Sequence, residues 1–306
     1  MTRHDLTATD GDASHWSERL RGYRAAVGGD RPLGWVMVLG PVGWALWVAS
    51  AGHPPVGLAV AFVAGGILLR AACCMIDGYF GALQDARAGR IARFPPDADR
   101  VDPRLAALLC VVLLVVVASL ILALNPLTAW LGASWLLLAL GYLLVKRHLY
   151  LVQAYVGVLA SWGVPLAFAA VTGEVSHAGW TLFIASVLLV TASATWRAMA
   201  ERDEDLLTGV KSIALLLGGV ERVAQGVLYG CAMVALVLFG RTVGLGSWYW
   251  LGLLVATLLA GLGVRAARRC DPAGCLHALD FSGWMVAAVY FGIVLDYALR
   301  ARVIEA

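Results

Sequence analysis

The sequence predicts an all-α polytopic membrane protein, a bundle of about nine transmembrane helices. Three observations carry that prediction. The residues are 61% hydrophobic and only 14% charged, against roughly 25% charged in an ordinary soluble domain. Apolar runs of about twenty residues recur from Gly34 to Leu299, the length that crosses a hydrocarbon core about 30 Å thick. Basic residues gather in alternate connections, as the positive-inside rule requires of a chain that threads a bilayer repeatedly. A soluble globular enzyme of 306 residues is excluded, because a mean hydropathy of +0.80 leaves too little polar surface to cover it.

Residues 1–30 are polar and charged, with no apolar core, and read as an N-terminal tail rather than a cleaved signal peptide. Residues 31–300 read as a single transmembrane domain. The expected spans are Gly34–Ala51, ended by His53-Pro54-Pro55; Val56–Ile76, ended at Asp77; and Leu105–Leu124, ended by Asn125-Pro126. Next come Leu127–Val145, ended by Lys146-Arg147; Leu149–Val171, ended by Thr172-Gly173-Glu174; and Trp180–Met199, ended by an acidic run from Glu201. The last are Val223–Gly240, Ser247–Val264 and Leu279–Leu299, each ended near an arginine.

Of the 23 Lys and Arg residues, 18 fall in the N-terminal tail and the even-numbered loops, 3 in the alternate segments, and 2, Arg70 and Arg197, inside spans. The tail and the even loops are therefore expected in the cytoplasm of a bacterial-type inner (plasma) membrane, and the C-terminus on the opposite side. The six cysteines lie mostly within or beside apolar runs, where free cysteine behaves as a small hydrophobe. Cys270, Cys275 and His277 match no familiar zinc spacing and read as ordinary loop residues.

Acidic residues are scarce, so their clustering is informative. Asp77, Asp85, Asp97, Asp99 and Asp102 follow the second span; Glu201, Asp203, Glu204 and Asp205 follow the sixth and run into Gly209-Val210-Lys211-Ser212. Carboxylates suit Mg²⁺, which takes hard oxygen ligands together with substrate phosphates, and interleaved Lys and Arg suit the remaining phosphate charge. Two such patches at the mouth of an apolar bundle fit a metal-bound diphosphate with a lipid tail; a solvated, salt-bridged surface is the plain alternative. Arg70 within a span implies a cavity, a partner or snorkelling to the interface, and Lys146-Arg147 either anchors its span or binds a ligand.

These residues resemble a known family, the UbiA-type intramembrane prenyltransferases, and within it the branch that prenylates 4-hydroxybenzoate for ubiquinone biosynthesis. Tyr142-Leu-Leu-Val-Lys146-Arg147, Gln153, Gly157 and Ser161-Trp-Gly-Val-Pro-Leu-Ala-Phe-Ala-Ala170 are similar to the family's Tyr-Pro-x-x-Lys-Arg-x-Thr-x-x-Pro-Gln segment and the helix after it. Arg31-Pro-Leu-Gly34, Pro41 and Trp44-Ala-Leu-Trp47 resemble its first span. The resemblance implies a cytoplasmic-facing active-site cavity, Mg²⁺, a polyprenyl diphosphate donor, a small aromatic acceptor and contact with membrane lipid; no nucleic-acid partner is expected. Its first acidic motif, Asn-Asp-x-x-Asp-x-x-x-Asp, would occupy Asp77 to Asp85, with Gly78 and Gly81 where the family has Asp. The second motif is kept as Glu201, Glu204 and Asp205, with Ala194 in place of an upstream Asp. By resemblance, Asp77, Asp85, Glu201, Glu204 and Asp205 are the metal candidates. Arg90, Arg93 and Lys211 would meet diphosphate, while Arg147, Lys146 and Arg70 would serve the acceptor. Gly78 and Gly81 also motivate a second reading, a catalytically impaired relative that binds isoprenoid lipid or a partner. A transporter is disfavoured because no inverted repeat is visible.

Overall fold

The computed structural model describes residues 32–68, 124–145, 149–208 and 211–304, together with residues 108, 111, 112, 115, 116 and 119. Asp77, Asp85, Arg70, Arg90, Arg93, Lys146 and Arg147 lie outside the described residues. By packing, the chain falls into two units, Trp35–Val63 with Ile121–Ala306, and Met1–Gly34 with Ala64–Leu120. In the second of these, Leu108, Val111, Val112, Val115, Val116 and Ser119 are helical. Most described residues belong to the first unit.

Every regular element among the described residues is helical. In chain order they are α1 (Pro32–Ala49), α2 (Val56–Leu68), α3 (Pro126–Val145), α4 (Val152–Ser161), α5 (Gly163–Thr172) and α6 (His177–Ala200). They continue as α7 (Arg202–Thr208), α8 (Ile213–Leu217), α9 (Glu221–Val243), α10 (Ser247–Ala266) and α11 (Pro272–Ile304). Five spans are long and apolar enough to cross a membrane, α6, α9, α10, most of α11, and α4 with α5 taken together. Shorter apolar helices cover Leu33–Ala49, Val56–Leu68 and Pro126–Tyr142.

The turns expected from Pro, Gly and Asn are present, each for a local reason. Asn125 Oδ1 accepts the N–H of Thr128 at 2.9 Å, so Asn125 caps α3 with Pro126 just inside it, where a missing proline N–H costs nothing. The Asn125 amide also donates to Ala169 O, joining the start of α3 to α5. Gly173 ends α5 at φ +78°, a left-handed conformation in which a Cβ would be strained. Ser176 Oγ accepts the Gly179 N–H at 3.3 Å and starts α6.

Three expectations are refined. The fifth span is two helices broken at Trp162, whose indole donates to Leu131 O of α3 at 3.0 Å. The charged sixth loop contains α7 and α8; α8 buries Ile213 and Ala214, whereas Leu206 and Leu207 of α7 are exposed. Cys275 and His277 sit on α11 rather than in a loop, and Cys275 is buried. No group of three metal-ligating side chains forms there or elsewhere among the described residues.

α6 is the central helix, packed against α4, α5, α8, α9 and α11. Three of its buried hydroxyls return to its own backbone, Ser186 to Leu182 O, Ser193 to Leu189 O and Thr195 to Thr191 O, so each is paired without a partner from another helix. α10 and α11 pack most extensively of all. Their backbones meet at Gly252 and Gly292: a Cβ on Gly252 would lie 2.7 Å from Ala288 O and 3.0 Å from Gly292 Cα. Only small residues allow such an approach. At the end of this pair the buried Asp296 accepts the Gly246 N–H at 2.9 Å and pairs with Arg300 at 3.0 Å, fastening the α9–α10 turn to α11.

Gly252→Ala should therefore separate two backbones and destabilise the protein by about 1–3 kcal/mol, the usual cost of overpacking. Gly261→Ala on the same helix, where a Cβ meets nothing within 4 Å, should be neutral or slightly stabilising. Thermal unfolding of both variants in detergent micelles checks the difference.

Candidate active site

The described part of the site is assembled at the C-terminal end of α6. Trp196, fully buried on the last turns of α6, donates its indole N–H to Tyr229 Oη of α9 at 2.8 Å. Tyr229 Oη lies 2.7 Å from Ser282 Oγ of α11, and Ser282 donates to Ala278 O at 3.0 Å. Serine has one hydroxyl proton, so Tyr229 must donate to Ser282, and the chain runs one way from indole to carbonyl. One turn along α9, Gln225 Nε2 donates to Ala192 O at 3.0 Å. These bonds fix the rotation of α6 five residues before Glu201.

Glu201 ends α6, with φ −98° and ψ 7°, and its N–H returns to Arg197 O. The chain re-enters a helix at Arg202, and the Asp205 N–H bonds to Glu201 O at 2.9 Å. Glu201 and Asp205 therefore share one helical turn, which places carboxylates four apart on the same face. Asp205 is buried at 6% exposure. Glu201 is half-exposed and pairs with Arg197 at 3.1 Å. Glu204 lies on α7 between them.

Arg202 turns the other way. Its guanidinium pairs at 3.0 Å with Glu221 at the start of α9, and the Glu221 side chain is only 4% exposed while that of Arg202 is 40% exposed. Beyond α7, Lys211 is exposed, and its Nζ stands 5.2 Å from the centroid of the Tyr150 ring. Gln153, on the first turn of α4, accepts the Ile213 N–H at 3.2 Å. The structure thus brings the segment after Lys146-Arg147 against the segment that carries Lys211. Gly218 and Gly219, at φ +47° and +110°, then turn the chain into α9.

A sequence profile of the UbiA prenyltransferase family matches residues 38–286. The chain belongs to that family. Relatives named 4-hydroxybenzoate octaprenyltransferase include one from Xanthomonas campestris pv. campestris (strain B100), 41% identical over 93% of this chain and 95% of its own. Another, from Xylella fastidiosa (strain M12), is 38% identical over 92% of this chain and 94% of its own. The fold is shared with a UbiA homologue from Aeropyrum pernix K1, with TM-score 0.68, 19% identity, and 87% of this chain and 98% of that chain covered. It is also shared with the structure of a digeranylgeranylglyceryl phosphate synthase, with TM-score 0.67, 16% identity, and 92% of this chain and 99% of that chain covered. Membership makes the chain an integral-membrane prenyltransferase, and the expected helical bundle agrees with both structures.

The donor set fits Mg²⁺. Glu201 and Asp205 offer hard oxygens from one turn, and Glu204 adds a third carboxylate in sequence. Mg²⁺ keeps several waters and takes one or two carboxylates plus substrate phosphates, so carboxylates from a single turn suit it. Sequence reasoning named these carboxylates and Lys211 but gave no part to Glu221 or Tyr150. Glu221 carried one signal, an acidic residue at the head of an apolar run, where a helix N-terminus favours negative charge.

Replacing Arg202 by Met would strand the Glu221 carboxylate in a buried setting. The expected loss is about 2 kcal/mol, below the roughly 3–5 kcal/mol of a fully buried pair because Arg202 remains part-exposed. Restoring neutrality with Glu221→Gln in the same chain should recover most of it. Thermal unfolding of the single and double variants measures both.

Proposed function

We propose that the chain transfers a polyprenyl group from polyprenyl diphosphate to 4-hydroxybenzoate, the step that ubiquinone-type biosynthesis requires. The observation that carries this reading is 41% identity, over nearly the whole of both chains, to a protein named for that reaction. The allylic C–O bond breaks and its electron pair leaves with the diphosphate. A ring carbon ortho to the acceptor's hydroxyl then bonds to the allylic carbon, and the proton on that ring carbon is lost.

Bound Mg²⁺ would neutralise diphosphate charge as a Lewis acid. Glu201, Glu204 and Asp205, with Asp77 and Asp85 from the first motif, are the residues proposed to hold it. Lys211, Arg90 and Arg93 would meet the leaving diphosphate, whose charge grows as the bond breaks, so cations positioned there would favour the transition state. Arg147, Lys146 and Arg70 would orient the acceptor carboxylate, for which a guanidinium offers a bidentate match. The apolar helix faces would take the isoprenoid chain. We place the N-terminus and both acidic motifs on the cytoplasmic side, from the 18-to-3 distribution of basic residues. Gly78 and Gly81 support reading the first motif as degenerate, with the second motif as the main metal site.

The test is prenyl transfer by purified protein in nanodiscs, with a labelled polyprenyl diphosphate and 4-hydroxybenzoate. Product should require Mg²⁺, and Glu204→Ala with Asp205→Ala should cut the rate by about 100-fold or more. Absence of product beside an active Xanthomonas relative would reject this acceptor. Donor binding that also ignores Mg²⁺ would then favour the non-catalytic reading.

A further inference from the structure

The segment from Lys211 to Ile213 is held from one neighbouring turn, by two unlike contacts. The Tyr150 ring lies beneath its ammonium, with Nζ 5.2 Å from the ring centroid. Three residues on, Gln153 is buried at 8% exposure, and its Oε1 accepts the Ile213 N–H at 3.2 Å. That N–H opens α8, where the first-turn donors have no partner within the helix. The residue before it, Ser212, sits in the extended N-cap conformation but makes no capping bond with its side chain. Gln153 therefore supplies, from 60 residues away, the acceptor that α8 lacks locally. Pinning the Ile213 amide sets the direction of the chain two residues beyond Lys211. The Tyr150 ring sets the position of the ammonium itself.

The two contacts differ in strength, and the difference has a use. A buried amide bond in apolar surroundings is costly to break, so Gln153 is a fixed strut. Cation–π attraction at a half-exposed ring is weak, and a charge-assisted bond to phosphate is stronger. Tyr150 can thus keep the ammonium in place and still yield it to a diphosphate oxygen.

We propose that Tyr150 and Gln153 are positioning residues that hold Lys211 ready for the donor diphosphate. This rests on the reading of Lys211 as a diphosphate contact. It assigns the two residues a part in donor binding that acts only through Lys211.

The test is a set of double-mutant cycles on the full chain in nanodiscs, read as KM for the polyprenyl diphosphate and as kcat. Tyr150→Leu should raise donor KM about two- to fivefold, whereas Tyr150→Phe, which keeps the ring, should stay near wild type. Gln153→Ala should raise it about tenfold, and Gln153→Glu, which keeps an acceptor oxygen, should recover most of that. In the Lys211→Ala background, Tyr150→Leu and Gln153→Ala should each change donor KM by less than about twofold, because the group they position is gone. Equal losses with and without Lys211 would overturn the proposal and reduce both residues to supports of the fold. Should Gln153→Ala fail to fold, the half-exposed Tyr150 carries the same cycle. If Lys211→Ala leaves donor KM unchanged, the diphosphate role of Lys211 falls. If Lys211→Ala raises it while neither neighbour does, only the positioning role falls.

Discussion

The site hangs on the hydroxyl chain that runs from Trp196 through Tyr229 and Ser282 to Ala278 O. It lies among buried residues of α6, α9 and α11, where no water can replace a lost partner. Each member uses its proton on the next, so removing one leaves its neighbours unpaired as well, and the set is worth more than its separate bonds. Because Trp196 precedes Glu201 by little more than one turn, this chain decides which way the acidic motif leaves α6. Packing alone would be a weaker guarantee, since in lipid no hydrophobic force distinguishes one rotation of an apolar helix from another.

The same logic recurs across the unit. Trp44 donates to Val286 O, Trp135 to Leu159 O, Trp162 to Leu131 O, Tyr155 to Leu138 O and Tyr249 to Leu236 O. A helical carbonyl keeps a second lone pair after its own ladder bond, so an aromatic donor can reach a neighbouring helix without stealing a partner. Large aromatic side chains thus do two tasks at these contacts: they fill volume and they set register. A third device, the glycine contact of Gly252 with Gly292, sets distance instead.

Much of this architecture was legible, and the reasons are local. Apolar runs bounded by charge located the spans that the described residues cover, and Asn125-Pro126 and Gly173 marked helix ends through capping and left-handed backbone chemistry, which depend on neighbours in sequence. The break at Trp162 did carry a signal, Pro165, which has no N–H to give the carbonyl of Ser161, but the apolar residues on both sides made the segment read as one span. α7 was hidden by its charges, which outweigh two leucines in a hydropathy window, and α8 by being only five residues long. The Arg202–Glu221 pair and the Gln153–Ile213 bond join residues 19 and 60 positions apart, and no periodicity encodes such a meeting. Family resemblance supplied Gln153 as a residue to notice, whereas only the fold says what it touches.

How the cations around the second motif are employed follows from the geometry rather than from their number. Arg202 is committed to Glu221, whose burial makes the pair costly to break. Arg197 holds Glu201, but both side chains are about half-exposed, and a surface pair of that kind is worth at most about 1 kcal/mol. Giving up that pair to bind a cation would therefore cost Glu201 little. Lys211 differs from both: among the described residues it rests on a neutral ring and makes no ion pair. A cation without a carboxylate partner among those residues gains more from a phosphate than one already paired, so of the three Lys211 best suits the proposed diphosphate role.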